Sequence, residues 1–123
     1  TCTAIAGLLS SKLQVESESV YRSISIASFF QNIGLYELPQ EVQHSGLASM
    51  TPEQKAIYEK HPERSASLLR KIDGIDETIL QAIQQHHERR DRSGFPAKLG
   101  AGKINRIAEL IGISDEFTQI LFE

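Results

Sequence analysis

Three residues carry much of the chemistry this sequence could do: His86, His87 and Asp115. Imidazole nitrogens and carboxylate oxygens together suit iron, manganese or zinc. Their positions matter as much as their types. Ile79, Leu80 and Ile83 recur at helical spacing as an inward face, and seven residues past the first two come His86 and His87, which extend the same stripe. Near the end of the chain Ile104, Ala108 and Ile111 define an apolar face, and four residues past Ile111 comes Asp115. A buried carboxylate without a partner is costly, and a divalent cation shared with the two imidazoles would satisfy all three groups. The competing reading makes the histidines hydrogen-bonded core residues, the usual state of a single His on an apolar face; their clustering with Asp115 is what argues for a site. His61, just before Pro62, reads by itself as a loop residue, and His44, within Gln43-His44-Ser45-Gly46, as exposed. By composition, Glu88, Arg89, Arg90, Asp91 and Arg92 read as a solvated, self-paired charge run.

The elements that must position these groups are helical. Apolar residues recur at helical spacing along nearly the whole chain, and no stretch alternates as a strand would. The spacing predicts helices over roughly Ala4 to Leu13 (Ile5, Leu8, Leu9 and Leu13 inward) and Ser19 to Ile33 (Val20, Ile24, Ala27 and Phe30 inward). Gly34 and Pro39 end the second, and residues 35 to 50 read as a loop. Thr51, Pro52 and Gln54 form a helix start with Thr51 as N-cap. That helix should break at His61, with Pro62 opening another that carries Ala66, Leu69 and Ile72 and stops at Gly74. Asp76 caps the next, Ile75 stapling onto Leu80, and it should run to about Glu88. Ser93, Gly94, Pro96, Gly100 and Gly102 make residues 89–102 a shaped loop. In the final helix Ile104, Ile107, Leu110, Ile111, Phe117, Ile120 and Leu121 form the apolar side, with Gly112 as a weak point.

Composition bounds the functions available. With 123 residues, 40% hydrophobic and 24% charged, the chain fits one compact domain, residues 1–123. Thirteen Lys plus Arg against sixteen Asp plus Glu give a net charge of -3, which provides no basic field for a nucleic-acid polymer or an anionic membrane. The single Cys2 excludes an intrachain disulfide framework and a cysteine zinc finger. Apolar runs fall short of the ~18 residues of a membrane span, so a cytoplasmic setting without membrane contact is expected. The start at Thr1 shows no signal peptide and no initiator Met, and the expectation is a piece of a longer protein.

The order of the motifs resembles the HD-GYP domains, a bacterial branch of the HD phosphohydrolase superfamily. His86-His87-Glu88-Arg89-Arg90-Asp91-Arg92-Ser93-Gly94-Phe95-Pro96 is similar to the family's HHExxDGxGYP signature, with Phe95 for its Tyr and Arg92-Ser93 for its Gly-x step. Thr51-Pro52-Glu53-Gln54 and His61-Pro62-Glu63 resemble its T-P-E-E helix and H-P-E break, and Ile113-Ser114-Asp115-Glu116-Phe117 its I-A-D-x-F segment. The resemblance implies an all-α, HD-domain-like bundle of about five to seven helices. It also implies that His61, His86, His87 and Asp115 occupy positions that ligate a cluster of two or three metals, usually iron or manganese.

One departure falls on the motif that names the superfamily. Where active members read H-D-I-G-K, this chain reads Gln31-Asn32-Ile33-Gly34-Leu35, so the His-Asp ligand pair and the Lys that serves the scissile phosphate are replaced together. An amide cannot supply the charge of a bridging carboxylate, so no catalytic residue is assigned at Gln31, Asn32 or Leu35, and iron or manganese is expected to be held weakly or not at all. The implied function is a degenerate domain of a longer cyclic di-GMP signalling protein that acts by binding. Its partner would be a diguanylate cyclase (GGDEF) or other signalling domain, or cyclic di-GMP. Arg89, Arg90, Asp91, Arg92, Gly94, Phe95 and Pro96 form the partner or ligand loop, with Phe95 as apolar anchor. The alternatives are an active metal-dependent cyclic di-GMP phosphodiesterase that retains one metal, and an HD-related structural output domain in which nothing binds.

Overall fold

A computed structural model of the chain describes residues 2–12 and 17–122. Seven α-helices are found among them: α1 (Cys2–Lys12), α2 (Glu18–Phe30), α3 (Gln40–Gln43), α4 (Pro52–Tyr58), α5 (His61–Leu69), α6 (Glu77–Gln85) and α7 (Arg106–Phe122). The described residues contain no strand, and a lone antiparallel bridge joins Asp91 to Gly100 across the loop after α6. The all-α bundle matches the expected class. Ala27 of α2, Ala66 and Leu69 of α5, Ile79, Leu80 and Ile83 of α6, and Ala108 and Ile111 of α7 form its core. α6 lies at the centre, packed on α2, α5 and α7, while α1 closes the bundle against α2 and α7.

Local signals place several boundaries. Thr51 Oγ1 accepts from the Gln54 amide while Gln54 Oε1 accepts from the Thr51 amide, a complete capping box at α4. Asp76 Oδ1 accepts from the Ile79 amide at 3.0 Å and starts α6. Pro62 lies in the first turn of α5, where its missing N–H costs nothing.

Other expectations are corrected. α5 ends at Leu69, so Ile72 is exposed rather than core-facing, and Gly74, at φ 91°, turns the chain after the helix. α6 ends at Gln85 instead of Glu88, and His86 is its C-cap. Residues 35 to 50 hold structure: 3-10 turns over Ile33–Glu37 and Leu47–Ser49 flank α3. Leu8 is exposed, and α1 buries the small residues Ala6 and Ser10 instead; Leu13 lies outside the described residues. The apolar side of α7 is buried only as far as Asp115, and Phe117, Ile120 and Leu121 are exposed. Gly112 is no weak point either. α7 runs through it unbroken, and a Cβ there would meet the His86 carbonyl oxygen at 2.6 Å.

Candidate metal centre

The start of one helix and the end of another bring the histidines together. His61 is the first residue of α5, and His86 and His87 follow directly on α6. His61 Nδ1–H donates to the Tyr58 carbonyl at 2.8 Å, and His86 Nδ1–H donates to the Ile83 carbonyl at 2.5 Å. A carbonyl can only accept, so these bonds fix the tautomer that leaves Nε2 with a lone pair. The Nε2 atoms of His61, His86 and His87 are buried and have no hydrogen-bond partner. Ring centroids lie 4.2 Å apart for His86 and His87, 5.0 Å for His61 and His87, and 5.5 Å for His61 and His86.

One ligand atom from each of the three lies within 4.8 Å of the others. Burial holds the rings neutral. It lowers the pKa of His61 to about 4 and that of His86 to about 3; His87 is also pushed down by burial and then by the neighbouring histidines and Arg89. Three neutral imidazoles gathered with unpartnered Nε2 atoms could hold a divalent transition ion.

Backbone packing locks this geometry. A Cβ on Gly34 would meet the His61 carbonyl oxygen, one on Gly112 that of His86, and one on Gly94 that of His87. Each histidine thus has a glycine against its own carbonyl, where no side chain fits. Gly34 N–H also donates to Ser65 Oγ at 2.8 Å, tying the turn after α2 to α5.

Asp115 is not part of the three-histidine group but lines a cleft of about 260 Å³ together with His87, Tyr58, Phe95 and Arg89. Its Oδ1 accepts from Gln31 Nε2 at 3.4 Å and its Oδ2 from Gln119 Nε2 at 3.2 Å. Gln31 is buried and also donates to Cys2 Sγ at 3.2 Å, and its Oε1 has no partner. Burial raises the pKa of the Cys2 thiol, and the Asp115 charge adds to that shift.

The charge run after His87 is solvated at Arg90, Asp91 and Arg92 but not at its start. Glu88 is buried and accepts from the amides of Ala97 at 2.6 Å and Leu99 at 2.8 Å, which clamps the loop onto the end of α6. Arg89 pairs with Glu116 and Arg90 with Glu109, the latter at 2.6 Å, so both reach α7. Asp91 Oδ1 accepts from the amide and hydroxyl of Ser93. Arg92 is exposed and holds the left-handed turn at φ 65° that the resembled signature gives to Gly, a conformation that costs a non-Gly residue about 1–2 kcal/mol. Phe95 stacks on His87 with centroids 4.6 Å apart, and its peptide bond to Pro96 is cis. Its other neighbour is Tyr58, whose ring also lies on His61. His44 is exposed, as expected.

The residue pattern pointed to His86, His87 and Asp115, and the family resemblance added His61. Read by itself as a loop residue, His61 is instead buried at the start of α5, and neither signal pointed to Glu88, Tyr58 or the glycines against the histidines. Glu88 was hidden among like residues in a charge run, and close approach of backbones leaves no periodic trace. No helix among the described residues is long and apolar enough to cross a membrane.

The HD domain family model matches residues 1–121. Among curated proteins, the chain is 27% identical over 121 residues to a cyclic di-GMP phosphodiesterase response regulator of Xanthomonas campestris pv. campestris, covering 95% of the chain and 31% of that protein. It is 21% identical over 103 residues to a cyclic di-GMP phosphodiesterase of Pseudomonas aeruginosa, covering 84% of the chain and 25% of that protein. The chain therefore spans a third or less of these relatives, and both matches agree with the HD-GYP resemblance. On the family match over nearly its whole length, and on its all-α bundle, the chain belongs to the HD domain family.

Proposed function

We propose that this chain is an HD-GYP-type domain, residues 1–123 of a longer signalling protein, that acts in cyclic di-GMP signalling by binding and hydrolyses the nucleotide weakly or not at all. One observation carries this reading. Gln31 and Asn32 stand where the resembled signature has its His-Asp ligand pair, and the Gln31 amide is engaged with Asp115 and Cys2. A neutral amide that donates hydrogen bonds cannot also act as a charged metal ligand. Leu35, in the place of the phosphate-serving Lys, removes a cation as well.

His61, His86 and His87 would hold iron or manganese, with Asp115 alongside. A bound ion would supply Lewis acidity and a water of lowered pKa. The loop from Arg89 to Pro96 is the surface for a GGDEF-type domain, another signalling domain or the nucleotide itself. Arg89 and Arg90 are held by Glu116 and Glu109, so Arg92 is the cation it offers without an ion pair to α7.

The orphaned Nε2 atoms favour a second reading, a phosphodiesterase that works with one remaining ion. Purified protein separates the two. Incubation with cyclic di-GMP and manganese or ferrous iron is expected to give little or no turnover, while calorimetry detects binding of the nucleotide or of a GGDEF domain. Turnover that disappears in His86→Ala would overturn the binding-only reading.

A further inference from the structure

Asp115 stands between two clefts. On one side it shares the cleft that contains His87; on the other it lines a cleft of about 360 Å³ with Cys2, Ser28, Gln31, Asn32 and Gln119. The two sides differ in what they could give a cation. The first is lined by His87, which belongs with the buried His61 and His86 to a group whose ligand atoms lie within 4.8 Å of one another and whose Nε2 atoms have no partner. The residues lining the second supply amides, hydroxyls and a thiol, and Asp115 is the sole carboxylate among them.

A carboxylate in such a position can bridge two ions about 3.5–4 Å apart, provided that ligand lone pairs rather than N–H donors face the second ion. Here both oxygens of Asp115 already receive amide N–H groups, from Gln31 and from Gln119. The orientation of Gln31 follows from its neighbours. Turning the amide over would set Oε1 against the Asp115 carboxylate, oxygen to oxygen, and would take the N–H from the thiol. Its N–H therefore points at Asp115 Oδ1, so on this side the carboxylate meets a hydrogen-bond donor where a bridging role would need a cation. Of the other acids at the first cleft, Glu116 is committed to Arg89, and Glu59 lines the same wall as Lys55.

We infer that the domain is a one-ion centre: a single divalent transition ion sits on His61, His86 and His87, and the Gln31 carboxamide takes the place of a second ion beside Asp115. The inference rests on the metal reading of the three histidines and concerns stoichiometry rather than turnover. A one-ion protein that hydrolysed cyclic di-GMP would leave it standing while the binding-only function fell.

The test is a metal count. Metal-free protein is titrated with cobalt(II), freed of excess, and assayed for cobalt per chain by mass spectrometry. One ion per chain is expected, falling to none in His86→Ala and in His87→Ala. Gln31→Glu, which keeps the side-chain shape and exchanges the N–H donor for a carboxylate oxygen, is expected to raise the count from one to two. Gln31→His makes the same test if the buried carboxylate prevents folding. No cobalt in the unaltered chain would overturn both the metal reading and the inference. Two ions in the unaltered chain would overturn the inference alone, as would a count fixed at one in both Gln31 variants.

Discussion

His61 and His86 each engage one ring nitrogen with a backbone carbonyl three residues earlier, and the other nitrogen is buried with nothing to bond. Such a site resists protons as strongly as it invites a cation. The native pKa values, about 4 for His61 and about 3 for His86, lie below the unfolded value of 6.5. At neutral pH folded and unfolded forms are both uncharged at these rings, and this contribution to stability is complete. As pH falls through 6.5 the unfolded chain takes up protons that the native rings refuse, and stability is lost until the native rings protonate too. The metal-free domain should therefore lose roughly 2 kcal/mol per buried histidine between pH 7 and pH 5, measured as a fall in the urea midpoint. His86→Leu should flatten that dependence, and a midpoint indifferent to pH would contradict the neutral assignment.

At the scale of elements, the same substitution is expected to have opposite signs on two helices. Gly7 lies inside α1 with open space where a Cβ would go, so Gly7→Ala should stabilise the domain by up to about 1 kcal/mol through helix propensity alone. Gly112 lies inside α7 against the His86 carbonyl. There the same propensity gain is outweighed by overpacking of about 1–3 kcal/mol, and Gly112→Ala should lower stability and weaken metal binding by displacing His86. Denaturant unfolding of both variants checks the pair; a stabilising Gly112→Ala would show that α7 does not set the position of His86. The loop after α6 depends on one carboxylate in a comparable way. Glu88→Ala would leave the amides of Ala97 and Leu99 without their acceptor, at a cost of about 2–4 kcal/mol. Hydrogen exchange at those two amides should accelerate well beyond that of the core of α6.

Across the whole molecule the two ends of α7 have different environments. Ala108 and Ile111 are buried against the other helices, whereas Ile120 is 79% exposed and its neighbours Phe117, Leu121 and Phe122 are exposed with it. Ile120→Lys should therefore change the stability of this chain by no more than about 0.5 kcal/mol, while Ile111→Ala should cost about 2–5 kcal/mol. Thermal denaturation of the two variants tests whether the core ends where the structure puts it. A bound ion stabilises the native state by mass action. Chelator should consequently lower the midpoint of cobalt-loaded protein by several degrees and leave that of His86→Ala unchanged.

Much of this architecture is local and was open to reading from the chain itself. The capping box at Thr51, the Asp76 cap and the apolar spacing of α6 act within a turn or two, so the sequence determined them, along with the all-α class and the imidazole and carboxylate groups at His61, His86, His87 and Asp115. What tertiary packing alone decided is how those groups meet. It gathered three histidines with buried, unpartnered Nε2 atoms, pressed a glycine against the carbonyl of each of the three, buried Glu88 out of its charge run, and ended the core at Asp115 although the apolar stripe runs on to Leu121. Gln31 shows the physical reason most directly. Its amide type is written in the sequence, but its bond to Asp115 spans 84 residues, and only the packing of α1, α2 and α7 brings those two groups to the same point.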